Sequence, residues 1–375
     1  MTITFLCKVV DNFGDIGVVY RLAKQISLFS KKNKINLITN DLSSFNKICS
    51  SVNVSLDYQI INNIHIYNWN AYDFCHSYFL KNDGEDLQTI IECFQCGRPD
   101  WLENILFDIK LERTVKIIML DYLTAEDYAE TFHLLDSLTR SKKVKKINFM
   151  PGFTDKTGGL IIDEQWKKEI KRDENGPILF FTYEKDFCPY LKAMQDYYKK
   201  QNVVKKILVA QGAGKSSFIK SFCETEKKYG VPNLEKEELS FINQEEWDIM
   251  MKKCSFLVVR GEESMSRACL SGIPFLWHAY PQSDEYQIVK VSALLEKMKT
   301  FFSNKHFEIL EKIFIIFNTK EDIYSDKEKE DAFIAFLENM EDMACSFYDF
   351  SCALRKNGDL ATNLMTYIEK SAIIE

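Results

Sequence analysis

Two aspartates and two glycines stand close together near the start of this 375-residue chain, in the stretch VVDNFGDIGV. The stretch joins an apolar, strand-like run to a helical pattern, and strand-to-helix turns of this kind often bind phosphate. Asp11 and Asp15 make this turn negatively charged, which suits a cation better than an anion. Asp15 could cap the helix while Asp11 holds the turn. Alternatively, one carboxylate of such a pair serves as a general base.

A second polar turn follows an apolar run in the other half of the chain, in VVRGEESMSRA. The pattern predicts a buried strand over residues 256–259 and a helix from about Ser264. Arg260, Glu262 and Glu263 crowd the turn between them. Amide groups at the start of the helix could hold a diphosphate, and the acids could bind sugar hydroxyls or a cationic acceptor. The acids could equally serve only to complement the helix dipole.

Aromatic side chains stand at two further strand ends. FFTYE supplies Phe181 and Tyr183, and NQEEW supplies Gln244 and Trp247. Such rings can stack on a nucleotide base while an amide bonds its edge, although rings in these positions are also typical of a core.

Other motifs predict no chemistry of their own. AQGAGKSS resembles a phosphate-binding loop, but Val209 stands where the first glycine is required, so a plain turn with a solvated lysine is expected. The pair Cys93 and Cys96 could be a redox motif, although two thiols on a part-buried helix are favoured, and no second pair completes a zinc site. His278 is expected to be a packed side chain. No acidic cluster has the spacing of a metal site.

Composition excludes several classes of protein. The apolar fraction is 46% and the charged fraction 27%, which is typical of a globular protein. A net charge of −7 favours neither nucleic acid nor an anionic membrane as partner. The first residues do not form a signal peptide, and no apolar run approaches the roughly 18 residues of a membrane span. A cytoplasmic protein is expected.

The order of elements predicts an α/β protein with two domains, because 375 residues exceed one ordinary core. Short apolar strands alternate with helices in two successive series, as in doubly wound sheets. KINFMPGFTDKTGGLIID is expected to be a long loop that closes the first series. The expected domains are 1–155 and 156–345, with a C-terminal helical segment, 346–375, that crosses back to the first. Ligands of such sheets lie beyond the C-terminal strand ends, so a deep interdomain cleft is the expected site.

Seven stretches together resemble the family of protein-arginine rhamnosyltransferases that modify bacterial elongation factor P, the EarP family. They are CKVVDNFGDIGVVYRLAKQ, NDLSSF, YLTAEDY, PGFTDKTGGL, FTYE, RGEESMSRA and GIPFLWHAYPQ. The resemblance implies a GT-B type glycosyltransferase with two facing Rossmann-like domains. It also implies an inverting, metal-independent transferase without a cofactor. This enzyme would move rhamnose from dTDP-β-L-rhamnose to an arginine of elongation factor P.

The resemblance assigns roles to individual residues. Asp15 corresponds to the general base, Asp11 to a supporting carboxylate and Glu262 to a second essential acid. The residues implied for donor binding are Asn12, Phe13, Gly14, Phe181, Tyr183, Gln244, Trp247, Arg260, Gly261, Glu263 and Ser264. Glu263 departs from the aspartate usual in the family, which puts donor affinity in question if its carboxylate contacts the diphosphate.

Two other functions are consistent with the same residues. A transferase of this fold could use a different nucleotide sugar or a different acceptor protein. A non-catalytic binding protein would be expected to lack one of the three acids, and all three are present.

Overall fold

The computed structural model describes residues 1–10, 13–29, 33–109 and 111–373. The chain divides into two compact units, one of Met1–Asp163 with Asn357–Glu375 and one of Glu164–Lys356, here called unit 1 and unit 2. The predicted boundaries lie at 155 and 345 instead. The segment before Asp163 belongs to unit 1 because it is bonded to the returning chain: the Ile162 amide donates to Asp359 Oδ1 over 2.9 Å, and the Leu360 amide to the Leu160 carbonyl over 2.7 Å.

The described part of unit 1 is built on an eight-stranded sheet of order β3-β4-β2-β1-β5-β6-β8-β7, parallel except at its two edge strands, β3 and β7. The strands are β1 (Thr2–Cys7), β2 (Lys34–Thr39), β3 (Tyr58–Ile61), β4 (Ile64–Asn68), β5 (Thr89–Cys93), β6 (Val115–Leu120), β7 (Asp136–Ser137) and β8 (Val144–Phe149). The helices are α1 (Gly14–Phe29), α2 (Leu42–Ile48), α3 (Tyr72–Leu80), α4 (Asp100–Glu103), α5 (Tyr128–Phe132) and α14 (Leu360–Ile373).

Helix α1 shows why this part of the chain folds as predicted. Its apolar side chains recur at spacings of three and four, as at Val19, Leu22 and Ile26, so one face is apolar and packs on the sheet. Helix α14 enters the same core through Leu364 and Ile368. The C-terminal helix is therefore part of unit 1.

The described part of unit 2 contains a five-stranded parallel sheet of order β11-β10-β9-β12-β13. The strands are β9 (Ile178–Phe180), β10 (Lys205–Val209), β11 (Leu234–Glu238), β12 (Phe256–Arg260) and β13 (Phe275–His278). The helices are α6 (Glu164–Lys167), α7 (Cys188–Lys200), α8 (Lys215–Tyr229), α9 (Gln244–Met251), α10 (Gly261–Ser271), α11 (Tyr286–Met298), α12 (Asn304–Asn318) and α13 (Asp326–Lys356).

Strand order fixes where a ligand can bind in each sheet. In unit 2 the strand order reverses between β9 and β12, and in unit 1 it reverses between β1 and β5. The strands that follow the first member of each pair are added on one side of the sheet, and those that follow the second member are added on the other side. Such a switch point leaves a crevice at the carboxyl ends of the two strands. The polar turns singled out in the sequence follow β1, β9 and β12 and thus lie at these two points.

Four local predictions were wrong in detail. Cys93 ends strand β5 and Cys96 lies in the turn after it, so this pair is not on a helix. The segment 146–149 of the expected loop belongs to β8. The apolar run LSF, residues 239–241, predicts a short strand before the NQEEW helix, but the strand β11 lies just before this run, at Leu234–Glu238. Its sequence LEKEE lacks an apolar run because it lies at a half-exposed sheet edge. Helix α10 begins at Gly261, three residues before Ser264.

Among the described helices, none is both long and apolar enough to cross a membrane.

Candidate active site

Asp15 is the second residue of α1, eight residues after β1 ends at Cys7, and is therefore not the N-cap of that helix. Its side chain is only 3% exposed. The backbone amide of Val10 donates a hydrogen bond to Oδ2 over 2.9 Å, and the Tyr122 hydroxyl donates to Oδ1 over 3.1 Å. The carboxylate is thus held from two directions at the switch point of unit 1.

The rest of the first predicted motif is only partly described. Asp11 and Asn12, predicted as a supporting carboxylate and a donor contact, lie outside the described residues. The Phe13 carbonyl accepts the Gly17 amide over 3.0 Å at the start of α1, which begins at Gly14. The Lys47 ammonium lies 5.2 Å from the centre of the Phe13 ring.

The buried thiols of Cys7 and Cys93 lie close enough to Asp15 for its negative charge to raise their pKa. Burial raises the pKa of Cys7 well above its ordinary value, and the negative charge of Asp15 raises it further. Burial likewise raises the pKa of Cys96 to about 11. Burial also raises the pKa of Cys93 well above its ordinary value. Cys93 and Cys96 therefore stay protonated at neutral pH, which argues against a redox role for this pair, because the thiolate is the reactive form.

In unit 2, four of the predicted donor residues form one frame at the switch point. Arg260 ends β12, and its guanidinium carbon lies 4.6 Å from the ring centre of Phe181 and 4.7 Å from that of Tyr183. Trp247, on α9, meets Phe181 edge to face with ring centres 4.9 Å apart. A cation between aromatic faces is a stable arrangement that also offers rings and positive charge to a nucleotide.

Gly261 turns the chain from β12 directly into α10. Its φ of +67° is in the region that L side chains rarely adopt, so glycine is required there. Because the helix starts at once, Glu262 and Glu263 occupy its first turn, where they also complement the dipole. Glu262 Oε1 lies 3.4 Å from the Lys290 ammonium, and Ser264 is buried.

Gln244 is the first residue of α9, a helix that begins with a complete capping box. The Asn243 side chain accepts backbone amides of the first turn, and the Glu246 side chain accepts the amide of Asn243. The cap fixes where α9 starts and so where Gln244 and Trp247 stand.

The carboxylate of Glu263, the departure from the family pattern, has a partner inside the protein. Its Oε1 lies 3.2 Å from Nε of Arg267, whose side chain is 1% exposed. The guanidinium carbon of Arg267 lies 5.4 Å from the ring centre of Trp166. Glu263 therefore balances a buried positive charge, and its longer side chain can do so without contacting a donor.

Sequence reasoning missed three residues of these sites. Tyr122 contacts Asp15, and it lies in the YLTAEDY stretch that carried the resemblance, two residues beyond the end of β6. Gly212 lies so near Phe181 that a Cβ atom there would stand 3.0 Å from the ring. The buried His278 accepts the Tyr183 amide at Nδ1 over 3.3 Å, so it supports the donor frame as a neutral side chain.

We predict that His278 makes the protein acid-sensitive. Burial, with the positive charges of Lys185 and Arg260, lowers its pKa to about 3. In the unfolded chain a histidine protonates near pH 6.5, so stability is lost as the pH falls below about 6.5, by up to about 1.4 kcal/mol per pH unit down to the folded pKa. Urea unfolding at pH 7.5 and 5 should show a smaller loss for His278→Gln than for the wild type. The control His306→Gln should keep the wild-type loss, and an unchanged loss in His278→Gln would contradict the prediction.

We predict that Glu263 and Arg267 stabilise the protein as a pair. Glu263→Gln leaves a buried guanidinium without its counter-ion and should lower the free energy of unfolding by about 1–3 kcal/mol. The matched change in the adjacent residue, Glu262→Gln, breaks only a half-exposed pair with Lys290 and should cost less than about 1 kcal/mol. The double variant Glu263→Gln with Arg267→Met should lose less free energy of unfolding than the two single variants lose together, as measured by urea unfolding. Additive costs would show that the pair is not coupled.

Comparison with solved structures supports the fold. One structure, from work on the structural basis for EarP-mediated arginine glycosylation of translation elongation factor EF-P, has a TM-score of 0.61 and 18% identity, covering 99% of this chain and 100% of that one. A UGT transferase from Siraitia grosvenorii in complex with UDP has a TM-score of 0.54 and 10% identity, covering 98% and 99%. The predicted α/β fold of the GT-B type, with two Rossmann-like sheets, is confirmed.

Curated relatives agree with one another. A protein-arginine rhamnosyltransferase of Shewanella oneidensis is 30% identical over 320 residues, 77% of this chain and 78% of that protein. Proteins of the same name from Neisseria meningitidis and Pseudomonas aeruginosa are 27% and 26% identical, covering 79% and 77% of this chain and 78% and 80% of theirs. The family model for the elongation-factor P rhamnosyltransferase EarP matches residues 3–177 and 169–369. The chain belongs to the EarP family.

Proposed function

We propose that this chain transfers rhamnose from dTDP-β-L-rhamnose to an arginine side chain of elongation factor P. The observation that carries the proposal is Asp15, a buried carboxylate fixed by two hydrogen bonds at the switch point of unit 1. The family is named for rhamnosyl transfer to elongation factor P, and the relatives are named for rhamnosyl transfer to protein arginine. Unit 1 would receive the acceptor and unit 2 the donor.

The acceptor poses a chemical problem that carboxylates solve. A guanidinium has a pKa above about 12 and a delocalised charge, so it is a weak nucleophile. Asp15 binds the group, orients one nitrogen and takes its proton as the new bond forms. Asp11 supports this role as a second carboxylate. An acidic acceptor site also attracts the positive charge that it must bind.

The donor side needs groups that accept a leaving diphosphate. In the proposed reaction the guanidinium nitrogen bonds to the sugar's anomeric carbon while the bond from that carbon to the diphosphate oxygen breaks. Attack on the face opposite the leaving group inverts the configuration. Arg260 and the first amides of α10, from Gly261 to Ser264, stabilise the departing negative charge. Glu262 serves as a second acid of the site.

The donor's base would be held by the aromatic rings of this frame, those of Phe181, Tyr183 and Trp247. Gln244, at the start of α9, would bond the base edge. The proposed reaction uses no cofactor and no metal, since the positive charge comes from Arg260 and helix amides. Its acceptor is a translation factor, which places the proposed reaction in the cytoplasm.

We predict that Asp15→Asn lowers the rate of transfer at least 100-fold, because a positioned general base contributes about 10²–10⁴. Purified protein, dTDP-β-L-rhamnose and elongation factor P are incubated, and the acceptor mass is followed for the gain of one deoxyhexose. Asp136→Asn, an exposed aspartate of the same unit, is the control and should keep the wild-type rate. Transfer by Asp15→Asn at the wild-type rate would sink the base assignment.

We predict that Phe181→Ala weakens binding of dTDP by about 5- to 30-fold, since loss of an aromatic contact costs about 1–2 kcal/mol. Calorimetric titration measures the affinity without the acceptor. Phe132→Ala, an exposed ring in unit 1, should leave it unchanged. An unchanged affinity in Phe181→Ala would remove Phe181 from the donor site.

Tighter binding of UDP-sugars than of dTDP-rhamnose by the wild type would point to a different donor.

A further inference from the structure

Two side chains that follow neighbouring strands of unit 1 meet at a third, Tyr122. Asp15 follows β1, Phe94 follows β5 and Tyr122 follows β6, and these strands are adjacent in the sheet. The rings of Phe94 and Tyr122 stack with centres 4.4 Å apart and planes inclined by 15°. The Tyr122 hydroxyl donates to Asp15 Oδ1 over 3.1 Å. One residue therefore combines an aromatic face with a contact to the proposed base.

The stack is held by an unusual backbone. Phe94 and the next residue, Gln95, both have positive φ, at 58° and 53°, which is rare for side chains of their size. This turn lets the Phe94 amide donate to the Leu120 carbonyl over 2.7 Å, and the Gln95 amide group donates to Asp121 Oδ2 over 3.0 Å. The turn after β5 is thus bonded to the end of β6, which brings the Phe94 ring against Tyr122. Such strained turns persist where surrounding contacts fix them, often at binding sites.

Exposure differs sharply between the two partners of this contact. Asp15 is 3% exposed, whereas Tyr122 is 44% exposed although Phe94 covers part of one face. Of these two side chains, Tyr122 is therefore the one that solvent and an approaching acceptor can reach.

We propose that Tyr122 selects the acceptor: its ring, backed by Phe94, stacks on the guanidinium of the target arginine while its hydroxyl positions Asp15. A guanidinium is planar and weakly hydrated, so it stacks on an aromatic face and still directs N–H groups outward in its plane. Stacked on Tyr122, it presents an N–H toward the oxygen that the hydroxyl marks. An ammonium group has no such plane, so the arrangement favours arginine over lysine. The proposal rests on the proposed function and names the residue that recognises its acceptor.

Two substitutions separate the two roles of Tyr122. Tyr122→Phe keeps the ring and removes the hydroxyl, so kcat should fall about 10-fold while KM for elongation factor P stays within twofold. Tyr122→Leu also removes the ring, so KM for elongation factor P should rise about 10-fold or more. KM for dTDP-rhamnose should change less than twofold in both variants. The KM for elongation factor P should therefore be lower in Tyr122→Phe than in Tyr122→Leu. A purely structural role of Tyr122 would not give this difference together with an unchanged KM for dTDP-rhamnose.

Binding without the donor decides the inference independently of transfer. Titration of elongation factor P should give about 10-fold weaker binding to Tyr122→Leu than to the wild type. The control Tyr128→Leu changes a tyrosine of the same unit with 43% exposure and should bind as the wild type does. Equal acceptor affinity and KM in Tyr122→Leu and the wild type would overturn the role of Tyr122. Absence of a deoxyhexose product with the wild type would instead overturn the proposed function, and the binding comparison would still decide whether Tyr122 recognises the acceptor.

Discussion

The predicted donor site depends most on the pairing of one buried charge, the guanidinium of Arg267. Transferring a charged group from water into a protein interior is costly unless it is paired. Arg267 has Glu263 at ion-pair distance and the Trp166 ring beside it. The Trp166 indole N–H donates in turn to Asp248 Oδ2 over 3.0 Å, and Asp248 lies on α9. Helices α9 and α10, which carry five of the eight donor residues predicted in unit 2, are therefore joined through Trp166 of α6.

The same cluster includes the points where the chain enters and leaves unit 2. Trp166 lies three residues after the boundary at Asp163, and Arg355 lies just before the second boundary at Lys356. Arg355 donates to the Trp166 carbonyl over 3.2 Å and to the Leu270 carbonyl, near the end of α10, over 2.7 Å. Trp166 and Arg355 therefore both contact α10, through the Arg267 guanidinium and the Leu270 carbonyl.

The sequence predicted what depends on local periodicity and missed what depends on distant contacts. Continuous apolar runs identified β1, β9 and β12, and the spacing of three and four identified α1. The roles of Asp15 and Glu262 came from resemblance, since spacing alone left a capping or dipole role open. No local pattern could show that Tyr122 would meet Asp15, 107 residues away, or that Trp166 would meet Asp248, 82 residues away. Strand β11 was misplaced because its side chains are mostly polar at an exposed edge.

The glycines of AQGAGKSS resemble those of a phosphate-binding loop, but close packing explains why glycine is required there. A Cβ atom on Gly214 would lie 2.4 Å from Oγ1 of Thr182 and 2.4 Å from the carbonyl oxygen of Tyr183, so glycine is required for the loop to pack against FTYE. The Gly214 amide donates to the Thr182 carbonyl over 3.0 Å, which leaves it turned toward the protein. Lys215 is paired with Glu238 over 3.1 Å, not simply solvated. The loop packs against the turn that carries Phe181 and Tyr183. Its glycines therefore serve the packing of the donor frame and do not form a P-loop.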